Sequence, residues 1–216
     1  MVEAQPRDAE HAALLVVDVQ PDFMPGGALP TQGGEEVVAP IARLLERAPV
    51  RYVVATQDWH PPGHISFASS HPGCSPFEVI ELHGVEQVLW PDHCVQDTPG
   101  AALHDGIPWR YADLVLRKAT DPLVDSYSAF RENFAPDGRR PSTGLAGYLR
   151  ELGVEQIYVC GLARDYCALW SAEDGARAGF RVHFLWDLTR PVDASNDASV
   201  QRTLQAAGVE VVSGAP

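Results

Sequence analysis

Lysine is almost missing from this chain: of 16 Lys and Arg residues among 216, only Lys118 is a lysine. Arg and Lys exchange freely on a surface, but not where a compact, titratable point charge is required, so this one retained lysine asks for a local reason. Positive charge of any kind is scarce. The formal net charge is −13, which repels nucleic acid and anionic membranes. No apolar run approaches the roughly 20 residues of a membrane-spanning helix. The opening residues, MVEAQPRDAEH, lack the basic-then-apolar pattern of a secretion signal, so a cytoplasmic protein is expected. C-x-x-C pairs are absent among Cys74, Cys94, Cys160 and Cys167, which excludes a zinc ribbon or thioredoxin-type motif. In a reducing compartment these cysteines stay as free thiols. G-x-G-x-x-G and G-x-x-x-x-G-K-[ST] are absent too, so no phosphate-cradling loop is offered.

What is present is regular alternation. Residues 12–19, AALLVVDV, form a continuous apolar run suited to a strand buried on both faces. Residues 35–48 have helical spacing, with Pro40 as the weak point. Strands are expected at 51–56, 112–117, 156–160, 181–186 and 209–212, and helices at 143–152, 165–178 and 195–207. Strands alternating with helices imply one α/β domain built on a parallel sheet with right-handed crossovers. Residues 1–11 read as a flexible N-terminal extension. Residues 57–110, rich in proline and histidine, read as functional loops on that scaffold.

Active sites in such sheets lie beyond the carboxyl ends of the strands. The first strand ends at Asp18, a carboxylate among valines that is costly unless paired, although a strand-end Asp can also cap a loop. The second ends in Thr56-Gln57-Asp58-Trp59-His60, where Asp58 and His60 project to one side. With His64 and His93 in the same loop-rich region, this is half of a Zn²⁺ or Fe²⁺ site or a solvated histidine cluster. The third delivers Lys118, either snorkelling at the surface or serving as a buried cation. After the strand ending at Cys160-Gly161, Cys167 falls in the first turn of a helix. There the dipole and free N–H groups favour a thiolate and an oxyanion, though an inert helical thiol fits as well. A carboxylate can take a thiol proton and an ammonium can stabilise the thiolate, so Asp18, Lys118 and Cys167 together suit cysteine-based nucleophilic catalysis.

These residues resemble the nicotinamidases within the isochorismatase-like cysteine hydrolases. The likeness runs in order over nearly the whole chain after about residue 12: LLVVDVQPDF, then QDWHP with His64 and Ser66-Phe67, WPDHCV, Lys118 with VDSYSAF, and GLARDYC. The resemblance implies a three-layer α/β sandwich around a six-stranded, mostly parallel, Rossmann-like sheet. It also implies a triad of Asp18, Lys118 and Cys167, and an oxyanion hole from the N–H groups of Ala163, which follows a cis peptide, and Cys167. It implies a divalent metal on Asp58, His60 and His93, with His64 a fourth ligand that varies in the family. Zn²⁺ is the first choice, with Fe²⁺ or Mn²⁺ as alternatives. Phe23, Trp90, Tyr127 and Tyr166 are candidates to contact the substrate ring; for Phe23 and Trp90, ordinary core packing is the competing account.

The implied activity is hydrolysis of nicotinamide to nicotinate and ammonia through a thioester, in NAD salvage, with pyrazinamide as a further substrate. The partner is a small amide; monomer and homo-oligomer both stay open. The alternatives are a related hydrolase acting on another aryl or carbamoyl amide, and a metallohydrolase whose ion activates water. Isochorismate-type members lack the metal loop that this chain carries. One departure stands beside the nucleophile: Arg164 occupies a position that is commonly Thr, where it is expected to bear on rate or substrate preference.

Overall fold

The structure, a computed structural model, describes residues 10–47 and 50–213. Strand β1 (Ala12–Val17) is buried along its whole length, as its unbroken apolar sequence requires. Helix α1 (Val38–Arg47) follows a short 3-10 turn over Gly34–Val37. Pro40 sits within the first turn of α1, where a missing N–H costs nothing. Strand β2 (Tyr52–Asp58) leads into the long loop region, which contains a hairpin of β3 (Val79–Leu82) and β4 (Val85–Val88). Then come β5 (Leu114–Lys118), α2 (Leu145–Glu151) and β6 (Gln156–Leu162). The chain ends with α3 (Leu169–Arg177), β7 (Arg181–Arg190), α4 (Asp197–Ala206) and β8 (Glu210–Val212).

The six long-range strands form one sheet in the order β5-β2-β1-β6-β7-β8, and every pairing is parallel rather than mostly so. From β1 the chain winds outward through β2 to β5, crosses back, and winds the other way through β6, β7 and β8. Right-handed crossovers therefore put α1 on one face and α2, α3 and α4 on the other. The winding reverses between β1 and β6, which is where a doubly wound sheet opens a crevice at its carboxyl edge.

Four strand ends meet that crevice. Register places Asp58 directly beside Lys118 and Val17 beside Gly161. Gly161 has φ of +104°, and a Cβ there would collide with the Val17 carbonyl, so only glycine lets β6 approach β1 this closely. The chain leaves β1 and β5 through left-handed residues, Asp18 at φ +45° and Ala119 at φ +54°.

Several boundaries differ from the sequence reading. β1 ends before Asp18 because of that left-handed turn, and β7 runs to Arg190 rather than 186 because Thr189 and Arg190 pair again with Gly161 and Leu162 after an irregularity. The hairpin of β3 and β4 was read as loop; its turn residues His83 and Gly84 both have positive φ, the geometry that closes a two-residue hairpin. Of the extension expected over residues 1–11, residues 1–9 lie outside the described residues, while the His11 ring bonds the Gly153 carbonyl at 2.8 Å. Among the described residues, no helix is long and apolar enough to cross a membrane.

Candidate active site

Lys118 is fully buried, and its Nζ lies 2.9 Å from Asp18 Oδ2. It donates to Asp58 Oδ1 at 2.9 Å, to the Ser126 carbonyl at 2.8 Å and toward Cys167 Sγ at 3.5 Å. Burial alone would push the ammonium pKa down, but the two carboxylates outweigh it and hold the lysine well above its usual value. Asp18 Oδ1 accepts from Thr56 Oγ1 at 2.6 Å. Desolvation raises the Asp18 carboxyl above the ordinary range, with Lys118 opposing, and this makes it a better proton acceptor. Desolvation also raises the Cys167 thiol well above its normal value, although Lys118 counters it. A thiol in that state needs a base to become a nucleophile, and the Asp18 carboxylate shares the Lys118 ammonium with it.

Cys167 lies in a single π-type turn, Arg164–Ala168, rather than in the first turn of α3 as expected. Such turns recur at functional sites. The Leu162–Ala163 peptide that precedes it is cis. Ala163 and Cys167 both line the pocket.

A second group sits against the first. Asp58, His60 and His93 are buried and offer ligand atoms within 4.8 Å of one another. His60 Nε2 lies 3.1 Å and His93 Nε2 3.5 Å from Asp58 Oδ2. His93 Nδ1 donates to the Pro91 carbonyl at 2.8 Å, so Nε2 is the ring nitrogen turned to the Asp58 carboxylate. One carboxylate with two imidazole nitrogens gathered at the same oxygen suits Zn²⁺ or Fe²⁺. Burial opposes ionisation of Asp58, yet His60 and Lys118 outweigh it and its carboxyl is held well below the usual range. Gln20 fixes Asp58 by accepting from its N–H at 2.8 Å and donating to its carbonyl at 2.9 Å.

His64 is buried next to His60, with ring centroids 4.4 Å apart. Its nitrogens are otherwise engaged: Nδ1 is 2.8 Å from Ser66 Oγ, and Nε2 is 3.0 Å from the Asp121 carbonyl. It groups with His60 and Asp125 rather than with Asp58 and His93.

The pocket over these groups encloses about 330 Å³, part of it open to solvent. Phe23 meets His93 edge-on at 5.6 Å. Trp90 stands against Tyr166 at 4.7 Å, and Tyr127 accepts from Trp90 Nε1 at 3.0 Å. All four aromatic candidates line the cavity. Arg164 does not. Its guanidinium turns away to Thr189, Trp186 and Asp197, so any effect on the reaction passes through the position of the turn it anchors.

Thr56, Gln20 and the Ser126 carbonyl were not singled out from the sequence. Thr56 had a signal, since it alternates with Asp58 along β2 and projects to the same side. A backbone carbonyl brought in by a loop leaves no trace in residue identity.

The isochorismatase domain model matches residues 12–216. A nicotinamidase of Acinetobacter baylyi is 42% identical over 216 residues, covering 99% of this chain and 97% of the relative. The solved structure of an Acinetobacter baumanii nicotinamidase and pyrazinamidase superposes with a TM-score of 0.89 at 41% identity, covering 97% of this chain and 98% of that one. A zinc complex of a Pyrococcus horikoshii pyrazinamidase superposes with a TM-score of 0.74 at 33% identity, covering 94% and 99%. The chain belongs to the isochorismatase domain family, and within it is similar to nicotinamidases.

Proposed function

We propose that the protein is a cysteine amidohydrolase that converts nicotinamide to nicotinate and ammonia. The observation that carries this reading is the convergence of Asp18, Lys118 and Cys167 around one ammonium in a buried pocket. The names of its relatives, nicotinamidase and pyrazinamidase, support the choice of substrate.

In the reaction, Asp18 takes the thiol proton of Cys167 as the sulfur attacks the carboxamide carbon. Lys118 holds the resulting charges together. The N–H groups of Ala163 and Cys167 receive the developing oxyanion, each worth about 3–4 kcal/mol by analogy with other such donors. Asp18 returns the proton to nitrogen as the C–N bond breaks, and ammonia leaves an acyl-cysteine. Water then attacks the thioester carbon, Asp18 takes its proton, the C–S bond breaks, and the sulfur recovers a proton as nicotinate departs.

Asp58, His60 and His93 would hold a divalent cation, Zn²⁺ by preference. When bound it supplies a Lewis-acid site for the pyridine nitrogen and so orients the ring. Phe23, Trp90 and Tyr166 form the aromatic surround for that ring and exclude water.

The test is ammonia release from a panel of nicotinamide, pyrazinamide and non-aromatic amides, with metal analysis of the same sample. Turnover of the two heteroaromatic amides with about one divalent ion per chain is expected from a single-site enzyme. Turnover of a non-aromatic amide in preference to both would contradict the substrate assignment.

A further inference from the structure

The aliphatic side of the pocket has no part in the reaction above. Among the described residues, Leu29 and Val192 are the only ones lining the pocket with aliphatic side chains larger than methyl. Leu29 is buried, whereas Val192 is half-buried at the rim. Their two loops are stitched together: Gln32 N–H donates to the Pro191 carbonyl at 2.8 Å, and Arg190 pairs with Glu36 at 2.8 Å.

The loop under Val192 is also tied to the nucleophile turn by two consecutive residues. The Asp165 carboxylate accepts from Val192 N–H at 2.8 Å, from Asp193 N–H at 3.0 Å and from Asn196 Nδ2 at 3.0 Å. Arg164 donates to the Thr189 carbonyl at 2.8 Å, pairs with Asp197 at 2.8 Å and lies 4.0 Å over the Trp186 ring. Asp165 is two residues from Cys167, so the backbone of Val192 is held at a fixed height relative to the attacking sulfur.

We propose that Val192, held by Asp165, determines which ring substituents a substrate can carry, and that Asp165 is its positioning residue. The inference rests on the amide-hydrolase reading. With the carboxamide at Cys167 and the ring nitrogen toward Asp58, His60 and His93, one ring carbon is meta to both and points away from both groups. We set that edge against Leu29 and Val192, the aliphatic part of a lining that is otherwise aromatic and polar around it. One methyl group in an apolar pocket changes selectivity about 10–200-fold.

The experiment measures kcat/KM for nicotinamide and for 5-methylnicotinamide in the wild type, Val192→Ala, Val192→Leu, Asp165→Ala and Asp165→Asn. The ratio of methylated to parent substrate is the readout, because partial unfolding scales both activities equally. The ratio should rise about 10-fold or more in Val192→Ala and fall in Val192→Leu. It should rise in Asp165→Ala and return toward wild type in Asp165→Asn, which keeps an acceptor for the loop. If the wild type hydrolyses nicotinamide but both Val192 variants stay within about twofold of its ratio, the inference is wrong and the amidase reading stands. If the wild type releases no ammonia from nicotinamide, the amidase reading fails and this inference with it.

Discussion

The ammonium of Lys118 reaches two carboxylates, a carbonyl and a sulfur from one nitrogen atom. A tetrahedral point charge can do this; a planar guanidinium spreads its donors over a wider fork and displaces at least one partner. That is the local reason for a lysine in a chain that otherwise uses arginine. Lys118→Arg keeps the net charge but misplaces the cation, and a misplacement of about 1 Å costs about 100-fold in rate. We therefore expect kcat/KM for nicotinamide to fall by about that factor, with the folded state retained by circular dichroism. Activity near wild type would mean that only charge matters at this position. The sequence singled out Lys118 by composition alone, and the chemistry of Asp18 and Cys167 by their places at strand ends. Asp58 was read as a metal ligand, and its additional bond to Lys118 comes from parallel register, which no local pattern reveals.

At the scale of elements, the segment between β5 and α2 brings Ser126 to Lys118 and Tyr127 to the pocket, and it is pinned to α3. Arg140 on this segment donates to both carboxylate oxygens of Asp174 at 3.0 and 2.7 Å and lies over the Trp170 ring at 5.1 Å. Ala129 N–H bonds Ser171 Oγ at 2.9 Å. Burial raises the Asp174 carboxyl, but its bonds from Arg140 outweigh this and lower it below the ordinary 3.8. A depressed carboxyl contributes stability above its unfolded pKa and loses it as pH falls through the folded value. Thermal melts should therefore show Asp174→Asn less stable than wild type at neutral pH, with the gap closing as pH falls below 3.8. A gap independent of pH would contradict this. The strands and helices of this scaffold were legible from apolar runs and 3.6-residue spacing. The hairpin of β3 and β4 was not, because Val79 is exposed, the one buried position is the polar Gln87, and four-residue strands are too short to show a period. The π-type turn at Cys167 was also hidden, since one extra residue in a turn leaves helical spacing nearly intact.

At the scale of the molecule, the reversal of winding between β1 and β6 gathers everything chemical at one edge. Residues 100 positions apart meet there because parallel strands deliver their ends to the same side. The acidic surface, net −13, suits a small uncharged amide, which needs no electrostatic steering, and discourages polyanions. Two groups share the crevice, the Asp18, Lys118 and Cys167 cluster and a donor set for a cation, and we assign bond-making to the first alone. Cys167→Ala separates them. The measurement is ammonia release from nicotinamide by Cys167→Ala, with divalent metal quantified in the same preparation. Metal content equal to wild type, with no ammonia above the uncatalysed background, is the expected result. Substantial hydrolysis by that metal-loaded variant would show that water activated at Asp58, His60 and His93 does the chemistry, and would contradict the central claim.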